Sequence, residues 1–469
     1  MKRFCSALAA GAALLSLCAC PSPNGYYAQT SSSDFPLEFE AHWSPDGGKL
    51  ALFVYPSNPN DYANPRVYLL DARTYQIEAD WEIRNPGLVA PKDVYSDRTP
   101  YLSWAADGRS LSLLQQSGHY PGFDRLYLHT LKPGSAGVSS RAYNLPLRFN
   151  DKSFGGYSHP ALAPDQRSVA LFEHQPAEGP GTYYEKIQLM RLDLETQALQ
   201  PLGQALKANS YSFSYATGGP VWAPDQTAIY LLYVPATPDG VPEGTAVVYN
   251  ERTFITRIPI SGGQAETLFT PDQASLNQLL ISPEGQYLLG NVDRAPEFSE
   301  APVELGPQYH MVPSGSLPQN GLVMLMLEPA AHQGLWFTSD IGILDLRFWH
   351  GNHQIVGEGI GQINEATKTR PWVIWDVASQ KPQGRYLLPD LHGLKPGPAL
   401  DMAPFPARQL AMALYNPCCS LKNLRTGVYV WDMESGGMTR VGPDIARLMK
   451  DFPGVGLHDR SQYDYRRNS

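Results

Sequence analysis

His42 to Tyr55 reads HWSPDGGKLALFVY. A Trp is followed by a Ser-Pro-Asp-Gly turn and then by a run of apolar residues. Pro presets φ for a turn, Asp bonds the neighbouring backbone, and Gly supplies a positive φ. The run Leu50-Ala51-Leu52-Phe53-Val54 is apolar without alternation, so it predicts a strand buried on both faces.

The pattern recurs. It begins at Trp43, Trp104, Leu162, Trp222 and Ile281, with two degraded copies at Phe348 and Met402. Successive anchors lie 61, 58, 60, 59, 67 and 54 residues apart, and a fixed period of this size marks a stacked or radial architecture. Each unit reads as four strands. A short strand ends on the anchor, and the apolar run follows. A third strand tends to end in Asp (Asp71, Asp193, Asp376, Asp432), and a fainter fourth strand completes the unit. Such a sheet cannot bury both faces alone and must pack on its neighbours.

With its W-S-P-D-G hallmark, the chain resembles the TolB-type and WD-like propeller repeat family over roughly residues 36 to 442. The resemblance is closest in the first five units. It implies an all-β fold: a β-propeller of seven four-stranded blades.

Composition agrees with an all-β chain. Of 469 residues, 41 are Gly and 42 Pro, aromatics make up 11% and charged residues only 17%. The net charge is −9 and no basic run occurs, so a nucleic-acid footprint is absent and long polyanion binding is disfavoured.

Residues 1–19 read as a secretory signal: Lys2 and Arg3, an apolar stretch from Ala7 to Leu17, then small residues. Leu17-Cys18-Ala19-Cys20 resembles a bacterial lipobox, which implies lipidation of Cys20. An ordinary cleaved signal is the alternative. Residues 20–35 form a polar tether, and 443–469 a C-terminal tail. Pro21 after the Cys leans toward the outer membrane by the sorting habit of such lipoproteins. Cys418 and Cys419 remain, as a vicinal disulfide or as two loop thiols.

Alternation along the innermost strands puts polar residues one and three positions before several anchors. Successive strand residues point to opposite faces, so Glu40, His42, His159, Asp345, Arg347 and Asp401 are candidates for the axial channel mouth. Either they line a watered channel or they form a site. Long connections between second and third strands mark the opposite face from the SPDG turns, and rigid scaffolds carry binding on such loops. The longest, Asn291 to Gly321, offers Phe298, Tyr309 and Met311 as a candidate binding loop. A tolerated insertion is the alternative.

Gly-x-Ser-x-Gly, His-Glu-x-x-His, a P-loop and paired Cys-x-x-Cys are all missing from the sequence. His350 and His353 form HGNH without a nearby carboxylate and read as turn residues. No cofactor, metal or catalytic residue is expected. The expectation is a lipid-anchored envelope propeller that binds a protein partner without catalysis. The alternative is a propeller lyase or hydrolase acting on a glycan or peptide at the channel mouth.

Overall fold

The computed structural model describes residues 35–56, 63–84, 101–117, 125–135, 137–146, 149–150, 153–154, 157–175, 184–209, 219–233, 254–269, 275–294, 321–326, 334–337, 343–351, 353–359, 369–379, 381–415, 425–453 and 455. Among them no helix is long and apolar enough to cross a membrane.

The chain builds antiparallel sheets in sequence order. The first holds β1 (Leu37–Trp43), β2 (Lys49–Pro56), β3 (Arg66–Asp71) and β4 (Ile77–Glu82). The second holds β5 (Tyr101–Trp104), β6 (Leu111–Ser117), β7 (Arg125–Leu131) and β8 (Val138–Asn144), followed by a short hairpin, β9 (Phe149–Asn150) and β10 (Ser153–Phe154). The third holds β11 (Tyr157–Leu162), β12 (Ser168–Gln175), β13 (Tyr184–Asp193), β14 (Leu199–Pro201) and β15 (Leu206–Asn209). The fourth holds β16 (Val221–Trp222), β17 (Ala228–Tyr233), β18 (Phe254–Pro259) and β19 (Glu266–Phe269). The fifth holds β20 (Ser275–Ile281), β21 (Tyr287–Arg294), β22 (Gly321–Met326) and β23 (Gly334–Phe337). The sixth holds β24 (Ile343–His350), β25 (Gln354–Gly359), β26 (Trp372–Asp376) and β27 (Lys381–Tyr386). The seventh holds β28 (Lys395–Met402), β29 (Gln409–Tyr415), β30 (Gly427–Asp432) and β31 (Met438–Val441).

The fold is an all-β propeller with four-stranded antiparallel blades. The expected count of seven four-stranded sheets is corrected to six, because the third sheet has five strands. Its long strand β13 overhangs: Leu199–Pro201 pairs with one half and Leu206–Asn209 with the other.

Burial on both faces follows from stacking. In β2, Leu50, Leu52 and Val54 pack toward the seventh sheet, while Ala51 and Phe53 pack toward the second. Strand β29 repeats this, with Leu410, Met412 and Leu414 toward the sixth sheet and Ala411 and Ala413 toward the first. Trp43 and Trp222, only 6% and 7% exposed, pack on the preceding sheet. The indole N–H of Trp222 donates to Ala161 O at 2.9 Å, and that of Trp104 donates to His42 O at 3.0 Å. Each bond runs to the carbonyl just before the preceding anchor.

In the sixth sheet the residue on the preceding sheet is Trp349, stacked on Tyr287 at 6.1 Å, while Phe348 faces the seventh. The HGNH turn shifts the pairing by one residue (Trp349 opposite Ile355), and a one-residue slip exchanges the two faces of a strand.

The turn works as its residues predict. Asp46 Oδ1 accepts from Ser44 Oγ (2.6 Å) and Gly48 N (2.9 Å), and Gly47 takes φ +70°. Where the third strand ends in Asp (Asp71, Asp193, Asp376 and Asp432), that residue caps the next turn. Asp71, for example, accepts from Arg73 N at 3.0 Å and Thr74 N at 2.9 Å.

Past the last strand, α1 (Ile445–Asp451) starts at Asp444, whose side chain accepts from Arg447 N at 2.7 Å. Ile445, Leu448 and Phe452 enter the apolar layer between the first and seventh sheets. Part of the stretch read as a tail is thus docked structure.

Candidate functional site

Strand β1 alternates strictly. Leu37, Phe39, Ala41 and Trp43 are buried, and Glu38, Glu40 and His42 form a half-buried row on the other face. Tyr55 lies across the strand pair from Glu38, donates its hydroxyl to Glu38 Oε2 at 3.0 Å, and sits 3.5 Å from Glu40 Oε1. Asp401 arrives from β28, where the register shifts between Ala399 and Asp401. A bulge of this kind re-aims a side chain. Asp401 Oδ2 accepts from Trp43 N at 2.7 Å, and His42 Nε2 lies 3.8 Å from Glu40 Oε2. Glu40, His42 and Asp401 are therefore brought together where the first and seventh sheets meet.

The electrostatics of the three are coupled. Burial pushes the Glu40 carboxyl up, against the pull of His42 and Tyr55. Burial also pushes Asp401 up to about 6, opposed by His42 and by the backbone N–H groups of Trp43 and Met402. For His42 burial pulls downward, but the carboxylates of Glu40 and Asp401 more than offset it and the imidazole is raised. Glu40 and His42 keep 19% and 34% of their side-chain exposure, so they border open space rather than fill a core. All three groups thus bind a proton more tightly than they would in water.

His159 lies elsewhere, on β11 of the third sheet. It has φ +50° at a register shift, where a non-glycine residue is strained. Its Nδ1 is 2.8 Å from Ser158 Oγ, which is 2.6 Å from His174 Nε2, so one hydroxyl bridges two imidazoles. Burial, and next the nearby His174, push His159 down to about 4. Asp345 and Arg347 belong to β24 of the sixth sheet. Asp345 pairs with Glu358, and Arg347 falls at a register shift. Cys20, Cys418, Cys419, Phe298, Tyr309 and Met311 lie outside the described residues. His350 is buried and its Nδ1 bonds Ala403 O at 3.1 Å. Among the described residues no group of three or more His, Cys, Asp or Glu is placed to hold a metal ion.

Sequence reasoning missed Glu38 as a site residue, although the Glu-x-Glu-x-His spacing signals it. It also missed Ser158 and His174, which only the strand register brings together.

No family profile and no curated protein matches the chain. Solved structures do resemble it. The acylaminoacyl peptidase of Pyrococcus horikoshii is 10% identical with a TM-score of 0.47, covering 86% of this chain and 52% of that one. The β-propeller domain of the Trilobed protease from Pyrococcus furiosus is 10% identical with a TM-score of 0.46, covering 86% and 98%. Hydrazine synthase of Kuenenia stuttgartiensis is 13% identical with a TM-score of 0.43, covering 88% and 97%. The chain spans about half the length of the peptidase it resembles. These likenesses concern the propeller fold alone.

Proposed function

We propose that the chain is a non-catalytic binding or scaffold module of the bacterial envelope. Its contact surface is the loop face around the axial mouth. The observation that carries this reading is the convergence of Glu40, His42 and Asp401 at one junction, half-buried and bordering open space. Two carboxylates there favour a partner that inserts a hydrogen-bond donor or a cationic side chain. The insertion of 295–318, with Phe298, Tyr309 and Met311, supplies the aromatic and thioether types favoured in interface cores.

Crosslinking with pulldown from native envelopes tests the reading. A stable protein partner is expected, and capture is lost in Glu40→Gln/Asp401→Asn or when Ala295 to Pro318 is replaced by a short Gly-Ser turn. A folded double variant and a folded deletion that both keep full capture refute it.

Lipidation of Cys20, with attachment to the outer membrane, belongs to the same proposal. Cys20→Ala should release a soluble or uncleaved form. An unmodified Cys20 by intact-mass analysis of the membrane fraction contradicts it.

One observation favours a second reading, an enzyme acting on a glycan or peptide. Asp401, raised to about 6 beside His42 and Glu40, has the proton affinity of a general acid. Turnover of a glycan or peptide panel near pH 6 that vanishes in Asp401→Asn would decide for it.

A further inference from the structure

The first and seventh sheets meet at a junction where, among the described residues, the strand order shows no exchanged strand. β1 to β4 are consecutive in the chain, and so are β28 to β31. The junction rests on side-chain contacts instead. Its middle is apolar, with Trp43, Leu52 and Val54 against Ala411, Ala413 and Val430. Its outer end is ionic and balanced. Tyr68 donates to Asp451 Oδ2 at 2.9 Å, Arg447 bonds the same oxygen at 2.6 Å and also pairs with Asp80, and Arg66 lies 3.4 Å from Asp80.

The inner end is different. It carries the carboxyls of Glu38, Glu40 and Asp401, the imidazole of His42, and the phenols of Tyr55 and Tyr415. Among the described residues, no Lys or Arg enters the charge environment of Glu40, His42 or Asp401. At the lower edge Tyr75 feels Asp432 of the seventh sheet, and Lys49 is engaged by Glu78 and Asp71. The indole bond that ties Trp104 and Trp222 to the preceding sheet is missing here. The buried Trp43 Nε1 has no partner among the described residues, and the Trp43 backbone N–H bonds the Asp401 carboxyl instead.

We propose that this inner seam is a proton-controlled latch: protons taken up by Asp401, Glu40 and His42 hold the first and seventh sheets together, and their loss as pH rises lets the seam open. Opening would hydrate the three groups and return each to its ordinary proton affinity. All three hold protons more tightly when closed, so opening releases protons and is opposed by acid. At alkaline pH the closed seam confines carboxylates beside a neutral imidazole. For Asp401 alone, a change from about 6 closed to 3.8 hydrated shifts the opening equilibrium by about fiftyfold between pH 4 and pH 7. The latch uses the same Glu40, His42 and Asp401 as the proposed contact surface, but it is read on the chain alone, without a partner.

Global unfolding does not isolate the latch. Burial holds His129 and His159 down at about 4, so they destabilise the fold over the same acid range in which Asp401 stabilises it. The test is amide hydrogen exchange in the full chain, read as protection factors corrected for intrinsic pH dependence. Protection at Trp43 should fall at least tenfold from pH 5 to pH 7.5, while Leu171, buried between the second and third sheets, should not follow. Asp401→Asn keeps an oxygen acceptor but cannot titrate, so it should lose at least half of that slope. Glu40→Gln serves if Asp401→Asn does not fold. A Trp43 slope no steeper than that of Leu171, or one unchanged in the folded variant, overturns the proposal.

Discussion

Truncating Trp222 tests whether the repeated anchor holds the propeller together. Its side chain is 7% exposed and packs on Ala170, Phe172, Ile187 and Leu189 of the preceding sheet. A buried Trp covers up to about 250 Å2, which at ~25 cal/mol per Å2 gives about 6 kcal/mol as an upper limit. Partial collapse of the site brings the usual cost of such a truncation to about 3–5 kcal/mol. The loss of the 2.9 Å bond to Ala161 O adds about 1 kcal/mol. Trp222→Ala should therefore cost about 4–6 kcal/mol, and Trp222→Phe, which loses mainly the N–H, about 1–2 kcal/mol. Trp104 is only partly buried, so Trp104→Ala should fall between these values. Leu387, 56% exposed, is the control, and its Ala variant should stay within about 0.5 kcal/mol of the parent. Denaturant midpoints at fixed m-value measure all four. A Trp222→Ala midpoint equal to that of Leu387→Ala would show that the anchor does not hold the junction.

Asp451 is 7% exposed and receives both Tyr68 and Arg447, so Asp451→Ala should cost about 2–3 kcal/mol by leaving buried donors unpaired. Arg447, 41% exposed, should cost about 1 kcal/mol or less on truncation; equal losses in thermal melts would contradict this ranking. His129 is fully buried between Ser140 Oγ (2.8 Å) and Gln115 Oε1 (3.1 Å), and burial holds it down at about 4. Its neutral form stabilises the fold above pH 6.5, and up to about 3 kcal/mol is lost as pH falls from 6.5 toward 4. His129→Gln should flatten that limb of the stability–pH curve, and an unchanged limb refutes the assignment. Gly47 has φ +70°, so Gly47→Ala should cost about 1 kcal/mol in a melt; no loss would mean that the turn relaxes freely.

What the sequence reveals here is what local chemistry encodes. The Ser44-Pro45-Asp46-Gly47 turn and the Asp-capped turns after the third strands close their bonds within two to five residues, so they appear as motifs. The same logic exposes Glu40 and His42, because period two puts them on one face of a single strand, and it could have found Glu38 on that face. It fails where register decides. The ten-residue β13 gives no sign that two short strands share it, and the shorter HGNH turn moves the sixth anchor from Phe348 to Trp349. Ser158 and His174 meet only because Ser158 pairs with Phe172, which places His174 on the same face one step further along β12. The hardest contact to foresee is Asp401 with Trp43, 358 residues apart. No periodicity within either unit implies it, because it depends on how the last sheet is set against the first. The indole N–H bond that repeats at Trp104 and Trp222 would lead one to expect the same at Trp43. The departure from the repeat at that junction, where the Trp43 backbone N–H bonds a carboxyl and its indole N–H has no partner among the described residues, puts titratable groups where the first and seventh sheets meet.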